Sequence, residues 1–368
     1  MRRATNRRAR GPPDFANLST IFCVPYIERS PGTPVQEQPA NRSVGIGGDI
    51  SIASAHPLDL LIALMSRRSK LFSRGWGNES LINTLTSRVS YHDPPSSITV
   101  SWTSAREHGG VVHRDGAFAS PLTLLPEKAA TAHVRAWMRE GNRAAVVILA
   151  ASRDEGYQVR ERVFGPLILR GIDLYFMENP FYGLRRAHGG PSLLTVSDHG
   201  LMVLGMVREA RALLEHLRER YPKVAVAGYS MGGHMAAITA AVSPFPLACA
   251  ALAAGASASS VYTRGLLSWS VDFTGLGGGA TQRAAARERL QHLFTVADVS
   301  CFPPPTRSDA AVIVGCKRDG YVLRSETERL HQHWPGSTLR WIPAGHFSAL
   351  LSRRRALCDC VVEAVEKL

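Results

Sequence analysis

The segment Gly228-Tyr229-Ser230-Met231-Gly232 carries the sharpest chemical signal in the chain. It lies directly after the β-forming run Val224-Ala225-Val226-Ala227 and directly before Gly233-His234-Met235-Ala236-Ala237, a stretch suited to a helix. A serine held on a strand-to-helix turn is pushed into a strained backbone conformation that lifts its hydroxyl above the sheet, while flanking glycines let neighbouring backbone approach without a Cβ clash. The bare G-x-S-x-G pattern is common by chance; the strand before it and the helix after it make Ser230 a candidate nucleophile for acyl transfer. A buried turn serine is the competing reading.

A serine hydroxyl is a weak nucleophile at neutral pH and needs a base to take its proton, with a third group to hold that base. The strand–serine–helix arrangement expects the acid and then the histidine downstream, each after a sheet strand. Asp319 follows the apolar run Ala310 to Cys316, in the loop Lys317-Arg318-Asp319-Gly320-Tyr321-Val322, and His346 follows Leu339-Arg340-Trp341-Ile342 in the loop Pro343-Ala344-Gly345-His346-Phe347. Asp309 precedes its strand, Asp298 falls in an insertion, and Asp319 as a simple helix cap is the bland alternative. His234, four residues after the serine, is expected to point away from the hydroxyl and pack, while His331 and His333 are expected at the surface. For the developing oxyanion, the Met231 N–H is one expected donor, and Ala151 or Ser152, after the central strand, supplies the other. The tract Glu178-Asn179-Pro180-Phe181-Tyr182-Gly183 follows the next parallel strand, so Phe181 and Tyr182 are candidate pocket walls, with a structural turn as the equal alternative.

These groups need a sheet to bring them together. Ala132 to Met138 alternates, turns at Gly141-Asn142 and resumes as the apolar run Ala144 to Ala150, which reads as an antiparallel strand joined by a tight turn to a fully buried one. Further strands are expected near Ile172–Met177, Val224–Ala227, Leu247–Ala253, Ala310–Cys316 and Thr338–Ile342. Helices are expected over Pro57–Phe72, over Thr281–Phe294 and in the tail. Another carries Val203, Val207, Ala210, Leu214 and Leu217 on its apolar face and Arg208, Glu209, Glu215 and Arg218 on the other. Strands alternating with helices predict an α/β protein with a mostly parallel central sheet covered on both faces. The stretch 256–308, too long for a plain connection, reads as an inserted lid.

The 368 residues, 45% hydrophobic and 20% charged, exclude wholesale disorder, and no apolar run reaches the roughly 20 residues of a spanning helix. The six cysteines contain no C-x-x-C pair, which argues against a zinc framework and a disulfide scaffold. A net charge of +13 suits peripheral contact with an anionic membrane or an acidic substrate. Nucleic acid is not expected, because the arginines are scattered and no nucleic-acid motif accompanies them. Residues 1–56 read as a basic, weakly ordered leader without the apolar core of a secretory signal, so an intracellular address, cytosolic or mitochondrial, is the expectation. The remaining domain then spans 57–368.

The blocks KLFSRGWG, MENPFYGLRR, GYSMGGHMA, CKRDGYVLR and IPAGHFSA resemble the alpha/beta-hydrolase domain-containing protein 18 family of serine hydrolases, with similarity from about Pro57 to the C-terminus. The resemblance implies an α/β-hydrolase fold with Ser230, Asp319 and His346 in the three catalytic roles, the same trio that position and chemistry select. One departure stands out: the family pattern carries a glycine-bearing G-T-G-D after the central strand, where this chain has Ala151-Ser152-Arg153-Asp154. The expected activity is hydrolysis of a carboxylic ester, with a lipid or acyl substrate and no metal or organic cofactor. A thioesterase, peptidase or acyltransferase on the same trio is the alternative, as is an inactive binding protein of the same fold.

Overall fold

Ten strands form one sheet within the residues described by the computed structural model, 54–87, 91–186, 193–277 and 280–368. The chain divides into two units, Met1–Ile46 and Gly47–Leu368. The expected leader lies outside the described residues as far as residue 53, and Cys23 with it. All the described residues belong to the second unit.

In chain order the strands are β1 (Ser101–Trp102), β2 (Arg106–His108), β3 (Val111–Ala119), β4 (Thr131–Met138), β5 (Ala144–Leu149), β6 (Ile172–Met177), β7 (Lys223–Tyr229), β8 (Ala248–Leu252), β9 (Ala311–Cys316) and β10 (Thr338–Ile342). Their spatial order is β1-β3-β4-β6-β5-β7-β8-β9-β10, with β2 beside β3. The half from β6 to β10 is parallel, and β1 to β4 extend it antiparallel. The expected hairpin between β4 and β5 does not form. After the turn β5 moves one place inward and β6 fills the gap, pairing antiparallel with β4 and parallel with β5. The turn fixes the reversal of direction and leaves the neighbour open; β6, wholly buried like β5, takes the place between β4 and β5.

Side chains alternate across the sheet with period two. Ala145, Val147 and Leu149 of β5 enter one core with Val224 and Val226 of β7, while Val146 and Ile148 enter the other with Ala225 and Ala227. Helices α1 (Pro57–Ser66) and α2 (Glu79–Ser87) precede the sheet. The second core is closed by α3 (Gln158–Phe164) and the C-terminal α11 (Arg354–Lys367), the first by α4 (Val196–Arg218), α5 (Met231–Val242) and α9 (Arg324–His333). Helix α1 stops at Ser66, short of the expected Phe72.

On α4 the apolar row is buried as expected, but Glu209 is not on a solvated face: it is fully buried, and both its oxygens accept from the Arg185 guanidinium, at 2.6 and 2.7 Å. Helix α4 is covered on two sides, so one paired charge enters the core with it. The stretch 256–308 holds α6 (Ser259–Thr263), α7 (Phe273–Gly277) and α8 (Ala280–Leu293), short pieces rather than a sheet extension. The short α10 (His346–Ser352) follows β10.

Candidate active site

Ser230 sits between β7 and α5 with φ 58° and ψ −120°, a left-handed conformation that costs a non-glycine residue about 1–3 kcal/mol. Its amide donates to Leu252 O at 2.8 Å, which anchors the turn to β8. The glycines around it are required by crowding. A Cβ on Gly228 would lie 2.3 Å from the Gly232 carbonyl, and one on Gly232 would lie 2.4 Å from Leu149 O.

Asp319 and His346 both reach this turn. His346 Nε2 is 2.9 Å from Ser230 Oγ, and Nδ1 is 2.8 Å from Asp319 Oδ2. With Nδ1–H donating to the carboxylate, Nε2 is left as the acceptor for the serine proton, the tautomer a general base needs. The other Asp319 oxygen accepts from the Tyr321 and Val322 amides at 2.7 and 2.9 Å, so Asp319 caps its own turn and holds the imidazole at once. Burial alone would lower the His346 pKa; the charge and hydrogen bond of Asp319, with the charge of Asp59, outweigh it and hold the pKa above the ordinary histidine value. Asp59, on α1, escaped sequence reasoning. It is fully buried against the loops that carry Asp319 and His346, and an Asp three residues into a helix ordinarily signals only a first-turn acid.

Met231 opens α5, so its N–H has no acceptor within that helix. Ala151 and Ser152 follow β5, and Ser152 borders the same cavity as Ser230 and Met231. Without the family's glycines this loop is still tightly turned: Arg153 adopts φ 65°, and its amide donates to the Tyr182 hydroxyl at 3.1 Å. Tyr182 is therefore a buried brace under the loop, and neither it nor Phe181 lines the cavity, contrary to the pocket-wall expectation. The Glu178–Gly183 tract is a structural turn: Glu178 accepts from the Gly156 and Leu184 amides at 3.3 and 3.1 Å. Burial raises its carboxyl pKa.

A cavity of about 100 Å³ lies over Ser230, and its walls are mainly aliphatic and aromatic, with Leu85, Val196, Val203, Leu204, Val261 and Phe294 prominent. His234 borders it as well; its Nδ1 lies 3.1 Å from Gly255 O, and the ring is buried. His199, also in the wall, lies 3.0 Å through Nε2 from the Tyr262 hydroxyl, and burial, with the nearby His234, lowers its pKa to about 3, so it is neutral. His331 and His333 are half-buried and hydrogen-bonded to Ser337 and Phe302 rather than free at the surface. Among the described residues, no three His, Cys, Asp or Glu gather as metal ligands, and no helix is long and apolar enough to cross a membrane.

The sheet, the strained turn serine and the acid and histidine on later strand ends define an α/β hydrolase. The model of the family "alpha/beta hydrolase domain containing 18" matches residues 69–279 and 278–367, and the chain belongs to that family. Among solved structures the chain is similar to acetyl xylan esterase 1 from a Thermoanaerobacterium species, at 14% identity and TM-score 0.50 over 82% of this chain and 99% of that one. It is also similar to an acetyl xylan esterase from a Paenibacillus species (13%, 0.49, 80% and 98%) and to an S-formylglutathione hydrolase from Agrobacterium tumefaciens (14%, 0.46, 73% and 99%).

Proposed function

We propose that the protein is a serine esterase that cleaves carboxylic esters of apolar acyl groups through an acyl-enzyme on Ser230. The observation that carries this reading is the pair of hydrogen bonds, 2.9 and 2.8 Å, that links Ser230 to His346 and His346 to Asp319 at the rim of an apolar cavity. In the first half-reaction Ser230 Oγ attacks the ester carbonyl carbon as its proton passes to His346 Nε2. The Met231 amide and one from Ala151 or Ser152 stabilise the oxyanion, and the alcohol leaves with the proton from His346. Water then attacks the acyl-serine with His346 again as base, releasing the carboxylic acid. Asp319 fixes the tautomer and stabilises the imidazolium throughout.

The aliphatic cavity favours a lipid or acyl ester over a small polar one. Residues 256–308, which contribute Val261, Phe294 and Val296 to its wall, act as a lid over the chain. The basic chain favours peripheral contact with an anionic membrane. A fluorophosphonate probe should label the wild type and leave Ser230→Ala unlabelled, and p-nitrophenyl esters from acetate to laurate should be cleaved with a preference for the longer acyl groups. Equal labelling of both proteins, or a labelled wild type that spares every ester while cleaving thioesters or amides, refutes this reading.

A further inference from the structure

We propose that Asp59 is a positioning residue that clasps the acid loop to the base loop through their main chains; the inference rests on the catalytic reading of Ser230, Asp319 and His346. Asp59 lies in the first turn of α1, and its Oδ2 accepts from the Gly320 N–H at 3.1 Å and from the His346 N–H at 2.8 Å. Its Oδ1 accepts from the Phe347 N–H at 3.0 Å. Gly320 directly follows Asp319, and His346 and Phe347 are the first two residues of α10. One carboxylate therefore fixes the residue beside the acid and the main chain of the base itself. The first amides of α10 lack partners within the helix, and a negative charge there is favoured by the helix dipole. What is unusual is that the charge arrives from another helix, far away in sequence.

Both loops are shaped to let α1 in. A Cβ on Gly345 would lie 2.3 Å from His56 Cβ and 2.9 Å from Asp59 Oδ2, while one on Gly320 would meet Leu266 Cδ1 at 2.3 Å, beneath the seat of α1, and Ala55 Cβ at 3.3 Å. The His56 amide donates to Arg318 O at 3.0 Å, and the Tyr321 hydroxyl to Asp59 O at 3.4 Å. Ala55 and Ala63, with Leu60, seat the helix on Leu266, Tyr321 and Phe347. A displacement of about 1 Å between catalytic groups can cost about 100-fold in rate, so a tie across both loops acts on chemistry as well as on stability.

The groups that face the His346 ring come from every side. They are Asp319 and the Tyr321 ring from the acid loop, Tyr229 and Ser230 from the β7 turn, Asp59 from α1 and Phe347 from α10. Among these the carboxylates of Asp319 and Asp59 favour the protonated ring, which supplies a readout distinct from folding.

The test measures the rate at which a fluorophosphonate labels Ser230 in the full chain, as a function of pH. In that reaction Oγ–P forms, P–F breaks with loss of fluoride, and the serine proton passes to His346. Asp59→Asn keeps the side-chain shape but loses the charge and turns an NH₂ group toward at least one of the three amides. It should label at least about tenfold more slowly at neutral pH, with its pH midpoint moved lower. Asp59→Glu keeps the charge but moves the carboxylate by one methylene, and should slow labelling without moving the midpoint. Leu60→Ala, which loosens the apolar seat of α1 and leaves the clasp, should label at close to the wild-type rate. Circular dichroism confirms that each is folded, and Asp59→Glu decides the matter if Asp59→Asn does not fold.

Labelling of the folded Asp59 variant within threefold of wild type overturns the proposal. So does a Leu60→Ala as slow as Asp59→Asn with neither midpoint moved, which makes α1 a mere prop. A wild type that takes no probe sinks the Ser230 reading and this inference with it. A labelled wild type beside equally fast variants sinks this inference alone.

Discussion

The Tyr229 hydroxyl donates to the main-chain oxygen of His346 at 2.5 Å. Tyr229 is the residue before Ser230, so the turn of the nucleophile is tied to the residue of the base twice, once through side chains and once through this bond. Both groups are buried, and removing the donor takes one hydrogen bond from that carbonyl, at a cost of about 0.5–1.5 kcal/mol. Tyr229→Phe should lower the free energy of unfolding by that amount, read as a lower midpoint in urea, and slow fluorophosphonate labelling several-fold. An unchanged midpoint in urea shows that the bond contributes nothing.

The raised pKa of His346 sets the pH dependence of the proposed reaction. The base is the neutral ring, so labelling of Ser230 should rise with pH and reach half its maximum above the ordinary histidine value of 6.5. Stability runs the other way. A histidine whose folded pKa is raised stabilises the fold fully below its unfolded pKa, and that contribution is lost as pH rises through the folded value. Asp319→Asn should cut the rate by about 10⁴-fold, through loss of the correct tautomer and of the ion pair, and shift the rising limb to lower pH. A midpoint at or below that of free histidine in the wild type contradicts the arrangement of charges.

Gly232→Ala probes the crowding at the turn. The added Cβ meets the backbone of Leu149 and Ala150, at 2.4 Å for Leu149 O, so β5 and α5 must separate. Backbone has no rotamer with which to yield, and the cost should be about 3 kcal/mol or more, with labelling lost along with the fold. A variant that melts within two degrees of wild type refutes the close approach.

Val203→Trp fills the cavity from α4. Acetate and propionate esters should still be cleaved at rates close to wild type, while long-chain esters lose most of their kcat/KM. The chain-length profile of p-nitrophenyl esters reads this directly, and a uniform loss over all lengths shows that the acyl group does not lie along Val203.

The meeting of Ser230, Asp319 and His346 was foreshadowed in the sequence because each follows a strand-forming run, apolar before Ser230 and Asp319 and mixed before His346, and parallel strands end on one edge. Tyr182 was misplaced by the same logic, because a position after a strand fixes the edge and leaves open which way the ring turns; here it turns inward to hold the Arg153 amide. The strands β1, β2 and β3 went unread because Glu107, His113, Arg114 and Asp115 give them the look of a polar loop; in the sheet the polar side chains of β3 are half-buried, and Asp115 is met by Arg135 of β4. Asp59 left no trace in composition or periodicity. Its partners are main-chain amides, which have the same letter whatever they bind.

The bonds of Asp59 span 261 residues to Gly320 and 287 to His346. Helix α1 leaves the ribosome first among the described elements, and the amides that complete its bonding follow 261 and 287 residues later. Until they emerge its carboxylate lacks these partners, and locking of the helix must wait for Phe347. Assembly thus closes where it began, and a nascent protein stalled before α10 would hold a ready-made serine turn with no means of firing it.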